Sequence, residues 1–154
     1  MYKFLQLIHN WNSVILLGLL IICILQAAIG MFGRKAFTKS NNRMQVFLII
    51  SAHTQLLIGF ILYGVSPTTS IAMSNFGAAM KDAILRFWAV EHVTSMVLAV
   101  IAIQVGRSIS KKALTDKAKF KRSLIFFVIA LIIILAVLPW GPMSPDPRPF
   151  LRMS

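Results

Sequence analysis

Four runs of apolar residues, each close to the length of a helix that crosses a bilayer, constrain this chain more than any other feature. They cover residues 14–32, 44–64, roughly 83–106, and 124–138. A hydrocarbon core of about 30 Å takes about 20 residues at a rise of 1.5 Å each. The fourth run is the shortest, which draws Phe120 or Trp140 towards the interface as its flank. Pro139 and the later Pro142, Pro145, Pro147 and Pro149 do not sustain a helix. The expected organisation is a four-span bundle over residues 1–140 and a Pro-rich tail over 141–154. Before the first run lie Lys3 and a polar prelude, His9-Asn10-Trp11-Asn12-Ser13. The apolar stretch is longer than the core of a cleaved signal peptide, so a retained helix is expected.

Composition agrees with a membrane. Hydrophobic residues make up 58% of the chain and charged ones 13%, too apolar a balance for a water-soluble domain. The net charge of +12 would suit a nucleic-acid binder if it were spread over a soluble surface. Instead 11 of the 16 basic residues fall in two loops, Arg34 to Arg43 and Arg107 to Arg122. The positive-inside rule places those loops in the cytoplasm, where they also touch anionic lipid. The expected fold is therefore all-α: an integral membrane up-down four-helix bundle with both termini outside the cytoplasm. No nucleic-acid partner is expected. Cys23 is the single cysteine, so neither an intrachain disulfide nor a cysteine-based metal site is available. The chain contains no HExxH, P-loop, GxSxG or glycine-rich dinucleotide motif.

Polar residues inside apolar runs are costly and face the bundle interior, so they are where function is sought. The three histidines, His9, His53 and His92, belong to three different spans, and Glu91 adjoins His92. Imidazoles on separate membrane helices suit axial ligation of a b-type haem. Counted from the loop ends of their runs, His53, His92 and His9 lie at roughly 14, 21 and 35 Å, so His53 and His92 agree best in depth. Trp88, His92, Ser95 and Ala99 share one helical face, as do His53, Leu56, Phe60 and Gly64. Such faces are also how ordinary helix interfaces look, and an interior histidine can serve simply by hydrogen-bonding a neighbour. Glu91 needs a proton or a cation, which a histidine or arginine supplies, unless it carries protons for redox chemistry. Lys81 and Arg86 either reach for phosphate or hold haem propionates or a quinone head group.

Together these stretches resemble a group of small bacterial four-helix membrane proteins classed as cytochrome b-like. The resemblance rests on Leu7-Ile8-His9, Ala52-His53-Thr54-Gln55-Leu56-Leu57-Ile58-Gly59, Leu62-Tyr63, Ala79-Met80-Lys81-Asp82, Arg86 and Val90-Glu91-His92. It continues through Gly106-Arg107-Ser108, Lys119-Phe120-Lys121 and Pro139-Trp140, and so covers roughly residues 1–140. It implies haem b, with His53 and His92 as ligands and His9 as a substitute or second-site residue, in a bacterial inner membrane. Larger cytochromes b hold two haems with two histidine pairs, which three histidines do not provide. The expected function is a membrane-anchored electron-transfer subunit linked to a quinone or a partner, with Arg86 near the cofactor and Glu91 handling protons. The alternative is a non-catalytic accessory subunit of a larger membrane complex.

Overall fold

A computed structural model describes residues 1–138 and 142–145. The elements are α1 (Tyr2–Phe32), α2 (Lys39–Val65), α3 (Pro67–Ser74), α4 (Phe76–Ala79), α5 (Ala83–Arg86), a π-helical turn (Phe87–Glu91), α6 (His92–Lys111) and α7 (Asp116–Val137). No strand occurs among the described residues. The segment α5, π turn and α6 forms one continuous helix, Ala83–Lys111. With α1, α2 and α7 it makes four helices long and apolar enough to cross a bilayer, the signature of a multi-pass membrane protein.

The helices overrun their apolar runs because polar residues at their ends are caps and flanks rather than loops. α1 continues through the polar prelude to Tyr2. α2 starts at Lys39 because Thr38 accepts from the Asn41 N–H while Asn41 Oδ1 takes the Thr38 N–H, a reciprocal cap. α7 starts at Asp116 because Thr115 accepts from the Ala118 N–H. Between α2 and the third span, where a loop is expected, Ser66 and Asn75 cap the short helices α3 and α4. α7 ends at Val137 with Leu138 extended, as suits a residue preceding proline. Met143 N–H then reaches back to the Ala136 carbonyl. Pro139, Trp140 and the tail beyond Pro145 lie outside the described residues.

Only 22–33% of the apolar window of each long helix is buried within the chain. The rest presents side chains such as Leu25, Phe47, Ile50, Ile101 and Ile132 outward. Lipid is the medium in which that surface costs nothing. The shared core joins Leu16, Leu20 and Cys23 of α1, Leu48 and Ala52 of α2, Ala99 and Ile103 of α6, and Phe127 and Ala130 of α7. Small residues dominate where backbones approach. Without a hydrophobic driving force, helices in lipid associate by close van der Waals contact. α6 and α7 approach closely at Gly106, where an added Cβ would stand 2.6 Å from Phe126 Cβ and 3.3 Å from the Phe127 ring. Nearby, Ser110 donates to the Lys119 carbonyl and locks the α6–α7 corner.

Gly106→Ala is therefore expected to force α6 and α7 apart and to cost about 1–3 kcal/mol, read as a lower unfolding midpoint in mild detergent. Gly18→Ala, at a site with nothing within 4 Å, should leave the midpoint unchanged or raise it.

Candidate functional site

The polar prelude of α1 grips the middle of α2. Asn12 Nδ2 donates to Gln55 Oε1 at 2.8 Å and to the Ser51 carbonyl at 3.1 Å, while Ser51 Oγ donates to Asn12 Oδ1 at 3.3 Å. Gln55 Nε2 in turn donates to the His9 carbonyl at 3.1 Å. Ser51 and Gln55 are buried, four residues apart, and so on one face of α2. One turn further along that face is Gly59. A Cβ there would lie 3.3 Å from His9 Cε1, so the glycine makes room for the imidazole. The His9 Nδ1 is buried and has no partner among the described residues.

His92 approaches from the third span. The His92 Nδ1 sits 3.1 Å from the Val137 carbonyl. A carbonyl only accepts, so Nδ1 carries the proton and a neutral ring keeps its lone pair on Nε2. Trp88 and Phe87 pack on the ring, with centroids 5.2 and 5.8 Å away. All four long helices thus contribute: His9 from α1, Gly59 from α2, His92 from α6 and a terminal carbonyl from α7.

His53 is elsewhere. It is exposed on the outward face of α2, its Nδ1 2.9 Å from the Ile49 carbonyl of its own helix. His53, expected from depth to pair with His92, thus faces away from the bundle interior. Depth along a helix says nothing of direction, and each residue turns the side chain by about 100°. The depths themselves also change. His92 lies 19 residues before Lys111 and His9 lies 23 before Phe32, a difference of roughly 6 Å in height.

The π turn immediately precedes His92, and such wide turns recur at functional sites. It inserts an extra residue into the helical register and so re-aims everything after it. It also brings residues five apart into line: Arg86 Nε donates to Glu91 Oε1 at 2.7 Å. Of the partners open to Glu91, the structure supplies the arginine. Arg86 Nη1 meanwhile donates to the Met80 carbonyl at 3.0 Å, which ties the guanidinium to the segment after α4. Tyr63 of α2 donates to the Ala89 carbonyl inside the turn at 2.9 Å. The Tyr63 contact and the wide turn have no clear sequence signal. The Ser51–Gln55–Gly59 stripe does, being small or polar at every fourth position.

Among the described residues no three His, Cys, Asp or Glu side chains converge. No protein family, curated protein or solved structure matches the chain.

The α1–α2 clasp is expected to be energetically coupled. A double-mutant cycle with Asn12→Ala and Gln55→Ala, followed by unfolding in detergent, should return a coupling of about 0.6–1.7 kcal/mol, the span seen for hydrogen bonds between membrane helices.

Proposed function

We propose that this chain is a membrane-anchored, cytochrome b-like electron-transfer subunit in which His9 and His92 hold one haem b. The observation that supports the reading is that two imidazoles on separate spans turn towards neighbouring helices, His9 against Gly59 and His92 against the Val137 carbonyl. The donor set fits the iron of such a group. His92 is oriented by the Val137 carbonyl, with Nε2 left as the ligating atom, and His9 Nδ1 is buried without a competing partner. The haem would supply one-electron chemistry. The chain's own part is to fix both rings, to wall the site with Phe87 and Trp88, and to exclude water. Arg86 and Glu91 neutralise each other beside His92. In this reading they are the group that handles the proton accompanying electron exchange with a quinone or a partner subunit. The basic loops Arg34–Arg43 and Arg107–Arg122 face the cytoplasm under the positive-inside rule. Both termini of an up-down bundle then face outward across a bacterial inner membrane.

The expected result is a Soret band with reducible α and β bands in protein purified from haem-replete cells. His9→Ala and His92→Ala should each abolish or shift it to a five-coordinate form, while His53→Ala leaves it intact. A haem-replete preparation without a Soret band, or loss of the band on His53→Ala alone, would overturn the assignment.

A second reading draws on the outward placement of His53 and Thr54, both exposed on α2. Polar groups are costly against lipid, so this strip favours cover by another protein and hence an accessory subunit of a larger membrane complex. Purification in mild detergent as a monodisperse monomer, with no stable partner, would count against it.

A further inference from the structure

At the end of the molecule away from His92, the α1–α2 linker, the start of α2 and the α6–α7 corner enclose a crevice of about 300 Å3. Phe37, Thr38, Lys39, Asn42, Gln45, Lys111 and Lys119 line it. We propose that it binds the phosphate ester of an anionic phospholipid. The site is separate from the histidine pair and independent of the haem reading.

Three lysines from three segments converge on this opening. The carboxylate that answers them is Asp116, 3.3 Å from Lys119, which leaves the crevice net positive. Lys119 is further steadied 5.6 Å above the Phe37 ring. Lys39 is the first residue of α2, so the positive end of that helix adds to the field.

The floor of the crevice is the second, independent observation. Gln45 is only 5% exposed, yet its amide makes no hydrogen bond among the described residues. A largely buried side chain whose amide lines the opening is placed to bond a ligand there. One turn before Lys111 on α6, Arg107 is in similar need. Its Nη2 reaches Asn42 Oδ1 at 3.5 Å, while its buried Nε has no partner. Cations above and unsatisfied donors below are what a phosphodiester oxygen requires.

A lipid rather than free phosphate is indicated by what borders the crevice. Its lining includes the apolar ring of Phe37 and lies where the basic linkers meet the ends of the spans, beside the apolar helix surface. Basic pockets between helices at a membrane surface are known sites for anionic head groups.

The test uses the full chain in neutral mild detergent, titrated with dioleoylphosphatidylglycerol, with dioleoylphosphatidylcholine and inorganic phosphate in parallel. Bound lipid is counted by native mass spectrometry and unfolding midpoints are recorded. Phosphatidylglycerol should be retained in preference to phosphatidylcholine and should raise the midpoint. The combined Lys39→Gln, Lys111→Gln and Lys119→Gln variant should weaken retention about tenfold or more. Gln45→Leu, which keeps every charge, should weaken it several-fold. The charge-matched Lys112→Gln, Lys117→Gln and Lys121→Gln variant should retain the lipid as the parent does. Midpoints without lipid identify any variant that fails to fold. Equal losses in the two triple variants would reduce the effect to diffuse attraction and overturn the proposal. Indifference between the two lipids, or stabilisation by phosphate alone, would overturn it as well.

Discussion

A polar side chain within hydrocarbon has no water to fall back on, and the arrangement of this protein follows from how Asn12 meets that demand. Its amide is satisfied from the Ser51 carbonyl and the Gln55 side chain, and Ser51 Oγ returns a bond to its oxygen. Apolar contacts tolerate sliding and rotation, because one methyl replaces another at little cost. A set of directional bonds does not. A slip of one residue would turn Asn12 about 100° away from α2 and strand both amides in lipid. The clasp therefore fixes the depth and the rotation of α1 together. His9, less than one turn before Asn12, inherits both, and Gln55 pins its carbonyl directly.

The third span meets a different demand: an acidic side chain at depth. Glu91 is accommodated because the π turn stacks it on Arg86, five residues earlier. In a regular α-helix that spacing would separate the two by about 140°. The turn has a cost, since its backbone departs from the regular hydrogen-bond ladder. Tyr63 takes the Ala89 carbonyl in compensation. Around it, Ala72, Ala79 and Ala89 form a small cluster that lets α3 and α4 lie close against the turn. The ion pair, the wide turn and the two short helices are one solution, and His92 emerges from it at a fixed angle.

How much of this was legible in the sequence depends on whether the signal is one of length or of direction. Length was readable: all four spans are where the apolar runs lie. Their ends fell short because hydropathy scores Lys39–Arg43 and Arg107–Lys111 as loop, whereas Thr38 and the continuing backbone hold them in helix. Direction was harder. His53 matched His92 in depth, yet its neighbours Ser51, Ala52 and Gln55 already mark the inner face of α2, all buried. Reading that stripe instead of the height would have turned His53 outward and given the inner position to Gly59. The Arg86–Glu91 pair was open among several partners, and only the wide turn, which leaves no compositional trace, selects it.

The fourth span, nearly devoid of polar side chains, reads as scaffold, but its backbone supplies what its side chains lack. A helix leaves its last carbonyls without intrahelical donors. α7 stops at Val137, with Leu138 extended ahead of Pro139, and a chain that continued as helix would have consumed those acceptors. Met143 takes the Ala136 carbonyl and His92 takes that of Val137. The stop is thus chemically specific. It gives an imidazole on another helix an acceptor-only partner, which places the proton on Nδ1. What Nε2 then does depends on the Val137 carbonyl, 45 residues away in sequence, a coupling no reading of the third span alone contains.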